Sequence, residues 1–184
     1  MSEGVADIAG PPTTTDPDLW LRAATFAARA HKKHMRKDGR TPYVAHVYRV
    51  AMIVRHVFGC RDDAVIAAAI LHDTIEDTPT DYDDIASRFG ADVAGMVAAL
   101  TKNMFLPEPE READYERRLR ASDWRVRLIK LADVMDNATD GMGKASKLRH
   151  RCRLAIELAA GDAAGHPETA RGIEAVRALP ILSE

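Results

Sequence analysis

The sequence predicts an all-α fold. Apolar residues recur at helical spacing through most of the chain, no segment alternates cleanly enough for a strand, and glycine and proline punctuate the stretches between the periodic runs. Hydrophobic residues make up 46% and charged residues 29% of 184, the balance of one soluble domain long enough to bury a core. No repeat is visible at solenoid spacing.

Residues 1–16 are rich in Gly, Pro, Thr and small side chains without a period and read as a flexible tail, leaving 17–184 as a single domain. Asp16-Pro17 reads as an N-cap and first helical residue. Leu19, Ala23, Phe26, Ala27 and Ala30 then carry a helix to about Lys37. Asp38-Gly39-Arg40-Thr41-Pro42 is a turn. A second helix begins near Tyr43, buries Val44, Val47, Val50, Ala51, Val54 and Val57, and stops at Phe58-Gly59. Asp62 can cap the next helix, whose run Ala64–Leu71 is apolar on every side and so belongs in the core. Thr80 and Asp83 resemble a capping box for a short helix ending at Gly90, and another covers Ala91 to about Thr101. Lys102–Pro109 reads as a loop and Glu110–Arg120, a run of mixed charges, as a solvated surface helix. Asp123–Ala138 is a second core helix. After Gly141-Met142-Gly143, helices over about Ala145–Ala160 and Pro167–Leu179 complete the chain.

The functional signal sits where charged groups leave the apolar run. Leu71-His72-Asp73-Thr74-Ile75-Glu76-Asp77, continued as a helix, stacks His72 over Glu76 and Asp73 over Asp77. Carboxylates beside a low-dielectric interior are unfavourable unless compensated, and a divalent cation does this economically. Asp133, Asp136, Asn137 and Asp140 cluster at the C-terminal end of the second core helix, where the helix dipole disfavours carboxylates in the same way. His46, His72, Asp73 and Asp133 can supply two imidazole nitrogens and two carboxylates, a set suited to manganese, iron, zinc or a related first-row metal better than to calcium. Glu76 and Asp77, one turn beyond, can orient or deprotonate a water for hydrolysis. Arg36 and Lys37 can hold phosphates, or Arg36 can stack on a base.

Composition narrows the alternatives. A net charge of −2 exerts no general pull on nucleic acid, and the basic patches lack interleaved aromatics. No apolar run is long enough to span a bilayer and no signal-type N-terminus is visible, which predicts a cytoplasmic protein without membrane attachment. Cys60 and Cys152 are far apart and read as packing residues, not as a disulfide or thiolate site.

Taken in order, Arg36-Lys37-Asp38-Gly39, Pro42-Tyr43-Val44-Ala45-His46, Leu71 to Thr78, Phe89-Gly90, Leu100-Thr101-Lys102 and Ile129-Lys130-Leu131-Ala132-Asp133 resemble the HD-superfamily metal-dependent phosphohydrolases, and within them the hydrolase domain of RelA/SpoT homologues. The resemblance implies a helical HD-domain bundle with a buried central site in which His46, His72, Asp73 and Asp133 bind one manganese ion. It further implies that Glu76 and Asp77 activate water, that Arg36 and Lys37 contact base and phosphate, and that Asn137 lies in the nucleotide pocket. The implied substrate is a small nucleotide, guanosine tetra- or pentaphosphate, hydrolysed at its 3′-pyrophosphate to GDP or GTP by a stand-alone alarmone hydrolase. Val134 and Thr139 stand where that family commonly has arginine, and Lys33-His34 and Val47 where it often has glycine-glutamine and proline. Adenosine alarmones, the 2′-phosphate of NADPH and nucleoside monophosphates are the alternative substrates on this scaffold. A catalytically silent nucleotide sensor is the alternative outside enzymes.

Overall fold

The computed structural model describes residues 17–141 and 143–183, so the tail expected over 1–16, with its Asp16 cap, lies outside them. Helix α1 (Pro17–Ala30) is followed by α2 (Val44–Met52), a π-helical stretch Ile53–Val57, α3 (Asp63–Leu71), α4 (Thr74–Asp77), α5 (Tyr82–Phe89), α6 (Ala91–Leu100), α7 (Glu108–Ala121), α8 (Trp124–Thr139), α9 (Ala145–Ala159), α10 (Pro167–Arg177) and α11 (Pro180–Ser183). Among the described residues the only β-type pairing is an isolated bridge between Met35 and Pro42, which bears out the all-α class.

Two helices organise the interior. Every residue of α3 from Ala64 to Leu71 is buried, because α1, α2, α6 and α8 all pack around it. Asp62 starts it, its carboxylate accepting from the Ala64 and Val65 amides at 2.9 and 3.4 Å. Helix α8 is capped by Asp123, which accepts from the Arg125 amide at 2.8 Å. It buries Val126, Leu128, Ile129, Leu131, Ala132 and Val134, against α2, α6, α9 and α10, and gathers its acids toward the C-terminal end.

Several boundaries depart from the sequence reading for local reasons. Helix α1 ends at Ala30, not near Lys37. Beyond it the backbone of 34–43 pairs with itself, the Arg36 amide donating to Thr41 O and the Tyr43 amide to His34 O, around a turn in which Asp38 accepts from the Arg40 and Thr41 amides and from Thr41 Oγ1 at 2.6 Å and Gly39 takes φ 66°. The second helix does reach Phe58-Gly59, but widens into the π-helical stretch first, with the Phe58 amide donating to Ile53 O; Val57 is exposed. The capping box of α5 uses Asp81 and Asp84, one residue on from the pair expected, because Thr80 Oγ1 is taken by the Thr78 hydroxyl at 2.8 Å. Helix α7 begins at Glu108, with Pro109 in its first turn where proline's missing N–H costs nothing. It is not merely a solvated surface helix. Tyr115 and Leu119 are buried, and Arg118 donates to Thr101 O at 2.8 Å across the C-terminal end of α6.

Candidate metal centre

Helix α3 delivers its charged groups by ending. The path from Leu71 into α4 is interrupted at His72 and Asp73, where Asp73 has φ −99° and ψ −1° and Thr74 Oγ1 donates to Leu71 O at 2.6 Å. Asp73 therefore turns back toward His72, and the continuous strip expected across 72–77 is corrected to a tight bend: Asp73 Oδ2 lies 3.1 Å from His72 Nε2 and 3.5 Å from His46 Nε2. Asp133 on α8 approaches from the far side, with Oδ1 3.4 Å from His46 Nε2 and 3.9 Å from His72 Nε2. His46, His72 and Asp133 each offer a donor atom within 4.8 Å of the others.

Both imidazoles are oriented by their other nitrogen. His72 Nδ1 donates to Ala69 O at 2.8 Å, while its buried Nε2 makes no hydrogen bond. His46 Nδ1 donates to Asp136 Oδ2 at 2.7 Å. Each ring thus turns Nε2 toward the common centre, and a buried lone pair without a proton donor beside two carboxylates is the donor chemistry of a cation site. The residues fit a divalent ion.

The electrostatics say the same. Against the desolvation imposed by burial, the carboxylates of Asp133, Asp136 and Asp73 push the His46 imidazole up to about 11. Burial likewise opposes ionisation of Asp133, but Lys130 and the two histidines hold its carboxyl well below the usual range; Lys130 Nζ donates to Asp133 Oδ2 at 2.7 Å. Asp73 is depressed in the same manner by His72 and His46 and accepts from the Tyr43 hydroxyl at 2.6 Å. The cluster holds protons only because acids surround it.

A cleft of about 220 Å³ opens on this group, lined also by Arg36, Lys37, Glu76, Lys102, Asn137 and Arg151. Glu76 is fixed by the Lys102 amide, which donates to its Oε2 at 2.8 Å; desolvation and then Asp73 and Asp77 raise its pKa, with that hydrogen bond opposing. A carboxylate raised in this way is better suited to take a proton. Asp77 is an exposed residue outside the lining. Asn137 spans two roles, donating to Asp133 Oδ1 at 2.6 Å and accepting from Arg36 Nη2 at 3.0 Å. An adjoining recess of about 160 Å³ shares Lys102, Tyr115, Lys130 and Arg151 with the cleft and continues between α7 and α9. Larger depressions, of about 620 Å³ beside Phe26 and Phe89 and about 560 Å³ beside Trp20 and Tyr48, gather no metal-ligand set among the described residues.

Sequence reasoning missed Tyr43, Lys102, Lys130 and Arg49 as site neighbours. Tyr43 and Lys130 each precede a candidate ligand by three residues, a helical spacing that brings them alongside. The Lys102 contact joins residues 26 positions apart and has no local signal. His31 is buried and stacks on Tyr43 with ring centroids 4.9 Å apart.

An all-helical scaffold presenting two histidines and an aspartate around one buried point defines the class: the chain belongs to the HD-domain family, whose model matches residues 23–158. Its relatives narrow the branch. It is 41% identical over 128 residues to guanosine-3′,5′-bis(diphosphate) 3′-pyrophosphohydrolase MESH1 of Xenopus tropicalis, covering 69% of this chain and 72% of that one. The human protein of the same name is 42% identical over 121 residues, 65% and 68% of the two chains. Among solved structures, one described as a metazoan ortholog of SpoT that hydrolyzes ppGpp superposes with a TM-score of 0.71 at 29% identity, covering 95% of this chain and all of that one.

Proposed function

We propose that this chain, as a single hydrolase unit over 17–184, removes the 3′-pyrophosphate of guanosine tetra- or pentaphosphate, giving GDP or GTP and pyrophosphate. The observation that carries this reading is the convergence of His46, His72, Asp73 and Asp133 at the floor of a cleft that Glu76 also lines, in a chain whose relatives carry that activity in their names. These four residues hold one divalent ion: the mixed nitrogen and oxygen donors suit a first-row metal, and the family resemblance is what makes manganese our choice among them. When bound, such an ion supplies Lewis acidity toward a phosphoryl oxygen and the attacking water. Glu76, held by the Lys102 amide, takes the water's proton, and Asp77 at the same helix end assists it electrostatically. Arg36 and Lys37 contact base and phosphate, Asn137 orients the nucleotide, and Lys102, Lys130 and Arg151 give the cleft the positive wall that phosphates need. A nucleotide substrate favours a cytoplasmic location.

The test is incubation of the purified chain with Mn2+ and guanosine tetraphosphate, the adenosine analogue and NADPH, with products identified by mass. GDP plus pyrophosphate is the expected outcome; orthophosphate from NADPH alone would keep the site and overturn the substrate. Glu76→Gln should retain the metal and lose about 10²–10⁴-fold in turnover, and full activity in that variant would remove Glu76 from the chemistry.

A further inference from the structure

Behind the metal-facing groups lies a second set of charges that the hydrolytic reading does not use. Asp136 is almost wholly buried, one turn of α8 beyond Asp133. Its Oδ2 accepts from His46 Nδ1 at 2.7 Å and from Arg49 Nη2 at 2.9 Å, and its Oδ1 from Arg49 Nε at 2.5 Å. The guanidinium of Arg49 also donates to Asp140 Oδ2 at 2.9 Å. That oxygen accepts in turn from Arg36 Nε and Nη2 at 3.1 and 3.0 Å. Arg36 Nη2 reaches Asn137 as well, and Asn137 donates to Asp133.

The contacts close a ring. From Arg36 one branch runs through Asn137 to Asp133, the other through Asp140, Arg49 and Asp136 to His46, and the branches meet where His46 Nε2 and Asp133 Oδ1 face each other at 3.4 Å. Helix periodicity makes this possible, since Asp133 with Asn137 and Asp136 with Asp140 form two parallel strips four residues apart. A buried carboxylate that both fixes the tautomer of a histidine and is itself held by a two-pronged arginine has little freedom to shift.

We propose that Asp136, braced by Arg49, is the positioning residue that presents His46 Nε2 to the metal, and that the Arg49–Asp140–Arg36 contacts link metal affinity to nucleotide affinity. This rests on reading His46 as a metal ligand and Arg36 as a nucleotide contact. By reciprocity, any tightening of nucleotide binding by the metal equals the tightening of metal binding by the nucleotide. Asp136 acts through His46 and touches no reacting atom.

Calorimetric titration of the chelator-stripped full chain with Mn2+, alone and with GDP present, tests both parts. Asp136→Asn should weaken Mn2+ binding about 10–100-fold, the usual cost of losing such an outer contact, and saturating Mn2+ should restore its turnover. Arg49→Met, at a half-exposed position whose replacement leaves the core intact, should weaken Mn2+ in the same direction by about 10-fold. Asp140→Asn should leave Mn2+ affinity in the absence of GDP within about twofold while lowering the effect of GDP on it. Unchanged Mn2+ affinity in both Asp136→Asn and Arg49→Met overturns the positioning role, and an undiminished GDP effect in Asp140→Asn overturns the linkage. A parent chain that takes up no Mn2+ sinks the metal reading itself; one that takes up Mn2+ but no GDP sinks the linkage together with the nucleotide reading, while the variants still decide Asp136.

Discussion

Helices α3 and α8 solve the same problem in opposite ways. Helix α3 carries no charge between Ala64 and Leu71, is buried throughout, and releases His72 and Asp73 only where it bends out of the core. Helix α8 carries core and site together in its C-terminal half, with Leu128, Leu131 and Val134 buried on one side and Asp133, Asp136 and Asn137 on the other. Each acid of α8 is compensated where it stands, by Lys130, Arg49 or a histidine. Among the described residues, Asp73 at the bend is balanced only by the two histidines it faces, whereas the α8 acids are held by Lys130 and Arg49 as well.

Removing a donor at the bend should therefore have the largest effect. His72→Ala is expected to abolish measurable metal uptake and lower hydrolysis by about 10³-fold or more, the several kcal/mol that a catalytic ion contributes; retained Mn2+ in elemental analysis would break the contrast. Next come the two apolar anchors. Leu71→Ala and Leu128→Ala, both fully buried, should each cost about 3 kcal/mol in urea unfolding. Only Leu71→Ala should also reduce metal affinity, because its neighbour His72 is held by the end of the helix.

The acids of α8 predict a pH dependence. His46, raised to about 11 by Asp133, Asp136 and Asp73 despite its burial, carries a proton in the metal-free protein that the unfolded chain releases near its ordinary value. Its contribution is complete below about 6.5 and is lost as pH rises toward 11, with a limiting slope of about 1.4 kcal/mol per pH unit. Metal-free protein should melt at progressively lower temperature from pH 7 to 10, and Asp136→Asn should flatten that slope; a flat profile in the parent would mean that the acids do not hold the proton. The smallest effect separates the two helix starts. Asp62→Ala and Asp123→Ala should each cost about 1 kcal/mol, and a much larger loss at Asp62 would show that α3 is held by its cap more than by its burial.

The candidate ligand types were legible because they break a pattern: charges at the end of an apolar run, and acids at the wrong end of a helix. The candidate ligands come from three separate helical regions; His72, Asp73 and Asp133 announce themselves locally, while His46, in the first turn of an ordinary amphipathic helix, stands out only once the other three are set beside it. What holds them in orientation does not. Arg49 and Asp136 are 87 positions apart, Tyr43 and Asp73 30, and no periodicity links residues at such separations. The bend at His72–Asp73 was hidden for the opposite reason, since every residue in that stretch tolerates a helix, and the interruption shows only in the backbone of Asp73, at φ −99° and ψ −1°.

The π-helical stretch after α2 has a consequence for how the chain can vary in length. A turn closed by bonds to the fifth preceding residue is what a single inserted residue leaves in an α-helix, and here it lies downstream of His46 and Arg49. Below it, Phe58 packs so closely on α10 that a Cβ at Gly172 would stand 3.3 Å from its ring. The wider winding thus lies between the turns that carry His46 and Arg49 and the Phe58 contact on α10, so deleting one residue within Ile53–Val57 is expected to disturb either side less than a deletion in α2 itself.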